Sequence, residues 1–81
     1  MKSTKQIKLS QLSIGSEALI ESLKDGLKYK TRFTEMGLIP GKQIFLMQRY
    51  SKKGPLCIKI MGSFVMIRKE NADKILVSKV S

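Results

Sequence analysis

Histidine is absent from this sequence of 81 residues, and cysteine occurs once, as Cys57. The first absence removes the commonest general base and the commonest metal ligand. The second excludes an intrachain disulfide, which suits a reducing cytoplasm. Together they exclude a structural zinc site built from four Cys and His ligands. Acids are scarce as well: six Asp and Glu stand against sixteen Lys and Arg, for a net charge of +10. Long apolar runs are missing. The longest are Ile44–Met47 and Phe64–Ile67, far short of the roughly 20 residues a spanning helix requires. No apolar stretch follows the basic opening Met1–Gln6, so no secretory signal is expected.

What is present fits one globular domain. Hydrophobic residues make up 42% of the chain, too many for a disordered polymer, and the length allows a single core. The positive charge is uneven. Between Gly26 and Lys69 the only acid is Glu35, whereas the same stretch holds Lys28, Lys30, Arg32, Lys42, Arg49, Lys52, Lys53, Lys59, Arg68 and Lys69. Such a field speeds encounter with an acidic partner, and it also serves plain solubility.

The pattern reads as strands around one early helix. Residues 1–8 are a loose basic arm or an edge segment, and residues 9–81 the domain. Lys8–Leu12 forms a turn anchored by Leu9 and Leu12. Glu17–Leu23 is a strand with Ala18 and Ile20 inward. Asp25 caps a helix from Leu27 to Met36. Gly37 then takes the left-handed C′ position, with Leu38 making the hydrophobic contact of a Schellman motif. Pro40-Gly41 suits a type II turn.

Strands follow over Lys42–Tyr50, Leu56–Met61, Phe64–Lys69 and Ile75–Val80. Gly54 and Pro55 end the hairpin loop that opens at Ser51, Gly62-Ser63 makes a tight turn, and Glu70–Lys74 allows one helical turn. In the first of these strands Ile44, Leu46 and Gln48 alternate against Phe45, Met47 and Arg49. Five short strands with closely spaced turns predict a mainly β small barrel, which also removes exposed sheet edges.

Catalytic constellations are missing. Glu17 and Glu21 share one strand face at roughly 13 Å, beyond the roughly 5–9.5 Å of a glycosidase pair. Glu70 and Asp73 form at most a weak metal site, and charge near a helix N-terminus is their expected role. There is no glycine-rich phosphate loop. Cys57 has no histidine to activate it and reads as a small hydrophobe. No enzyme, no cofactor and no tight metal site is expected. Phe45 and Met47 point away from Ile44 and Leu46; the helix covers them, or they form an apolar patch for a partner.

Three segments resemble the FeoA family of ferrous-iron transport accessory proteins. Arg32–Ile44 is similar to its helix end, with Met36-Gly37-Leu38, Pro40-Gly41 and Ile44 in place. Gly54–Gly62 resembles its hairpin, with Gly54-Pro55, Ile58, Ile60 and Gly62. Val65–Val77 resembles its last segment, although Met66 stands where the family often has a small residue. The resemblance covers about residues 9–80. It implies a five-stranded SH3-like barrel and a cytoplasmic accessory of bacterial ferrous iron uptake. The implied partner is the GTP-binding cytosolic part of the ferrous iron transporter. Gly37, Pro40, Gly41, Gly54, Pro55 and Gly62 are its architectural turn residues.

The candidate partner contacts are Lys28, Lys30, Arg32, Phe45, Met47, Lys52, Lys53 and Lys59. The alternative is a basic barrel that binds nucleic acid. Against it, Phe33 and Phe64 read as structural, so exposed aromatics do not interleave with basic residues.

Overall fold

In the computed structural model of this protein, which describes residues 5–24, 26 and 30–80, apolar positions alternate along strands and face one side of a single sheet. The strands are β1 (Gln6–Lys8), β2 (Glu17–Leu23), β3 (Gln43–Arg49), β4 (Leu56–Ile60), β5 (Ser63–Ile67) and β6 (Ile75–Lys79). Their order is β1-β6-β2-β3-β4-β5, and every neighbouring pair is antiparallel. Two short helices, α1 (Lys30–Glu35) and α2 (Lys69–Ala72), and a 3-10 turn at Leu9–Gln11 complete the chain. Ala18, Ile20, Ile44, Leu46, Ile58 and Val77 all enter one buried cluster, together with Val65 and Ile67 of the edge strand β5. Ile7, on the opposite edge, packs against the same cluster. A flat sheet could not feed one core from both edges, so the sheet curls round it. Each fully buried Leu or Ile contributes about 1.5–3 kcal/mol.

The small-barrel fold holds, with a sixth strand added, but the sheet does not close on itself: among the described residues β1 and β5 remain its two edges. The added strand is β1, where Gln6, Ile7 and Lys8 lie opposite Ser78, Val77 and Leu76. Of the two expectations for residues 1–8, a loose arm or an edge segment, the edge segment is what forms from Gln6 onward. One apolar residue between polar neighbours gives no periodic signal, and its order comes from the free edge of β6. The helix is described over Lys30–Glu35. Its expected start, with the Asp25 cap, Leu27, Lys28 and Tyr29, lies outside the described residues.

The end of α1 forms as expected. The Leu38 N–H donates to the Phe33 carbonyl at 3.0 Å, and the Gly37 N–H to that of Thr34 at 3.0 Å. Those two bonds define a Schellman motif, and Gly37 has the positive φ it needs, +98°. Phe33 and Leu38 are both buried in the core, which supplies the accompanying contact. Pro40-Gly41 then turns the chain: the Lys42 N–H donates to the Ile39 carbonyl at 3.2 Å, and the Gly41 N–H to that of Ile20 at 2.8 Å.

Two bulges overturn part of the expected facing. Between Leu46 and Gln48 the β3–β4 register shifts, leaving Met47 as the extra residue. One inserted residue exchanges the two faces beyond it. Arg49 therefore lies opposite the buried Leu56, on the inward side, where its Nη2 donates to the Ser10 carbonyl at 2.8 Å and the Leu12 carbonyl at 2.7 Å. It fastens the 3-10 turn to the barrel end. The second bulge lies between Ile20 and Ser22, so Glu17 and Glu21 do not share a simple strand face. The Glu21 carboxylate accepts from the hydroxyl of Ser78, which is buried, and Glu17 accepts from the Gln43 amide. Met61 was expected within a strand. Instead Met61 and Gly62, at φ +51° and +81°, are the two central residues of the β4–β5 turn, the left-handed pair of a type I′ hairpin.

Asp73 is not at a helix N-terminus; it caps the C-terminal end of α2. Its carboxylate accepts from the Ser10 hydroxyl and from Lys69 Nζ at 3.0 Å. These bonds, Ser10's first, hold its carboxyl below the usual carboxylate range. The folded state thus favours the charged form. That contribution is fully present above the unfolded value, about pH 4, and is lost as pH falls through the lower folded value. Ser10→Ala is expected to cost roughly 1 kcal/mol at pH 7, and the gap from the parent should narrow by pH 2. Urea melts at the two pH values test this; an equal gap at both would remove the role given to the bond.

Candidate functional site

α1 stands beside the edge strand β5, where Phe33, the one buried side chain among the described helix residues, joins the core. Between them lie two adjoining hollows of about 290 and 580 Å³. Met36, Phe64 and Val65 line both. Arg32, Met66 and Arg68 border the first hollow, and Lys42 and Met61 the second. The result is one groove with an apolar floor and a basic rim.

The exposed floor residues follow from strand geometry. Val65 and Ile67 point into the core, so Phe64 and Met66 must point out, and they are 63% and 53% exposed. Met61 is thrown outward by its turn and is 70% exposed. Phe64 was expected to be structural; it is instead the central exposed aromatic of the groove. The signal was available, because an inward Val65 fixes Phe64 on the opposite face. Lys59 lies across from Phe64 on β4, with its Nζ 5.9 Å from the ring centroid, a cation–π distance.

The candidates named from sequence fall into three groups. Register brings Phe45, Lys59 and Phe64 into one row on the outer face, through the pairs Phe45–Lys59 and Lys59–Phe64. Phe45 is half-buried, while Met47 is exposed at the bulge, so a helix does not cover Met47. Arg32 lies at the groove itself. Lys53, at the exposed tip of the β3–β4 hairpin, shares a third hollow with Met66 and Arg68. Lys30 and Lys52 are exposed and line none of these hollows, and Lys28 lies outside the described residues.

Gly54 and Pro55 close that hairpin as expected, with the Gly54 N–H donating to the Ser51 carbonyl and the Tyr50 N–H to that of Pro55, both at 3.2 Å. Cys57 is half-buried, opposite Met66. Among the described residues, no three Cys, Asp or Glu side chains converge where they could hold a metal ion. No described helix is long and apolar enough to cross a membrane.

A curled antiparallel sheet with one helix between β2 and β3 and a groove beside its edge strand defines a small SH3-like domain. The solved zinc complex of Stenotrophomonas maltophilia FeoA, described as an SH3 domain protein, has this fold: TM-score 0.75 at 21% identity, over 88% of each chain. The sequence matches the FeoA domain over residues 7–79, and the chain belongs to the FeoA family. Iron(II) transport protein A from Clostridium thermocellum is 32% identical with a TM-score of 0.83, over 91% of this chain and 46% of that one. A curated relative, the Fe(2+) transport protein A/Fe(2+) transporter FeoB fusion protein of Porphyromonas gingivalis, is 33% identical over 75 residues. Those residues are 93% of this chain, which spans only 9% of the relative's length.

Proposed function

We propose that this chain is a cytoplasmic accessory of bacterial ferrous iron uptake, acting by contact with the GTP-binding cytosolic part of the ferrous iron transporter. The observation that carries the reading is the Porphyromonas gingivalis relative, in which a domain like this one shares a polypeptide with a ferrous iron transporter. Domains joined in one chain in one organism commonly act together as separate chains in another. The exposed, basic groove supports binding as the mode of action. The reading is contact and not catalysis, in keeping with a chain that offers no histidine to activate its one thiol.

Rim charges set association rate and its salt dependence, while apolar anchors set dwell time. Reversing the hairpin tip with Lys52→Glu and Lys53→Glu is therefore expected to slow association with the transporter's soluble GTP-binding domain severalfold. It should also flatten the salt dependence and leave the fold intact. Surface plasmon resonance at low and high salt, with circular dichroism as the fold control, measures this. Unchanged rates in a folded variant would make the tip ordinary solvated surface, and no binding by the parent would sink the reading.

A second reading has one observation in its favour. The row Phe45, Lys59 and Phe64 alternates aromatic and basic side chains on the outer face, a pattern that single-stranded nucleic acid can use. A gel-shift assay at two salt concentrations separates it from the first.

A further inference from the structure

We infer that the groove between α1 and β5 docks an acidic segment of a protein partner, held by apolar side chains on the groove floor and by carboxylates against its rim. The inference rests on the accessory-protein reading and names the partner's chemistry at that site.

The floor argues for an apolar anchor. Met36, Met61, Phe64 and Met66 are exposed and contiguous, since Met36 and Phe64 line both hollows while Met66 lines one and Met61 the other. Contiguous apolar surface of this kind marks an interaction site, unlike scattered exposed residues. Methionine adapts its shape to varied apolar partners. Met61 also holds a left-handed φ of +51°, which is disfavoured for a residue bearing a side chain. The type I′ turn requires that φ, and the turn sets the Met61 side chain outward at the end of the groove.

The rim argues for acid. Arg32 and Arg68 border one hollow and Lys42 the other, Lys59 sits over the Phe64 ring, and Glu35 is the only acid among the described lining residues of the two hollows. A second copy of this chain, at a net charge of +10, would bring like charge to like. Nucleic acid would meet the cations, but three of the four floor residues are methionines, which offer a base no aromatic face to stack on. The backbone adds a further attraction. β5 ends the sheet. Counting from the two-residue turn at Met61-Gly62, Ser63 and Val65 bond to β4, so the N–H and C=O of Phe64 and Met66 point to the open edge. A chain lying in the groove finds hydrogen-bonding partners there.

The test is fluorescence polarisation of the full chain with three short labelled peptides: one of Glu, Leu and Ser, one with Lys in place of Glu, and one with Ser in place of Leu. The Glu and Leu peptide is expected to bind at least tenfold more tightly than either of the others. Phe64→Ser and Arg68→Glu, both at exposed positions and checked by circular dichroism, should each weaken it at least fivefold. Amide shifts on binding should cluster at Arg32–Met36 and Ser63–Arg68. Absence of binding, equal binding of the Lys peptide, folded variants that bind like the parent, or shifts elsewhere each overturn the proposal. So does an oligonucleotide or a phosphatidylserine vesicle that shifts these amides when the acidic peptide does not. If the transporter domain binds but shifts residues away from the groove, this proposal falls and the transporter reading stands. If the acidic peptide seats in the groove and the transporter domain does not bind, the transporter reading falls and this one stands.

Discussion

Phe33→Ala is expected to cost about 3–5 kcal/mol, as Phe-to-Ala changes in packed cores do, and to release α1 before the rest of the fold. The described helix has six residues, well below the roughly 12–15 that hold a helix without tertiary help. Among its described residues the one buried side chain is Phe33, 6% exposed, and it is their anchor in the core. The loss should appear first as rapid hydrogen exchange at the amides of Met36, Gly37 and Leu38, whose bonds run to carbonyls of α1. Strand amides in β2 and β6 should weaken only as far as the global stability falls. A variant that keeps protection at those three amides and melts within about 1 kcal/mol of the parent would show that α1 is held otherwise. Because Phe33 also lines the groove, the same variant should lose the groove's shape.

Gly37→Val is the second large effect. A left-handed backbone costs a side-chain-bearing residue about 1–2 kcal/mol, and a β-branched one sits at the upper end. Space is the lesser problem. A Cβ at Gly37 would meet Met61 Sδ at 2.7 Å, but Met61 is exposed and flexible and can swing outward. The backbone term should dominate, giving the order Val worse than Ala, with Asn the mildest because it tolerates the left-handed region. Thermal melts of the three variants test the order. In a Met61→Ala background the Gly37→Ala penalty should persist nearly whole. Stability equal to the parent for Gly37→Val would remove Gly37 from the C′ position.

Both effects were foreshadowed by local pattern, and the pattern's reach explains what was legible. The Schellman end at Gly37 and Leu38 and the turn at Pro40-Gly41 are short-range chemistry, written in adjacent residues. The inward sets Ile44 and Leu46, Ile58 and Ile60, and Val65 and Ile67 are a period of two. What failed is what depends on distant partners. β1 exists because β6 offers it an edge. The Met47 bulge, set by pairing with β4, turned Arg49 from a surface charge into an inward fastener. The groove was half legible: Lys59, Arg32 and Phe45 were candidates, yet Phe64 reads as structural, although strand alternation about the buried Val65 places it on the outer face. Met61 was hidden because the turn was placed one residue late, with Gly62 as its first central residue instead of its second.

The pairing of Gln6 with Ser78 has a bearing on how such a domain travels between proteins. Facing residues of adjacent strands stand about 5 Å apart, so the polypeptide arrives at the barrel and departs from it side by side. A linker of a few residues could bridge the two ends, and the hairpin tip at Lys52-Lys53 could serve as the new opening of a circular permutant. The barrel can therefore be spliced into a longer host, or hung from either of its ends, without prying any strand from its neighbour.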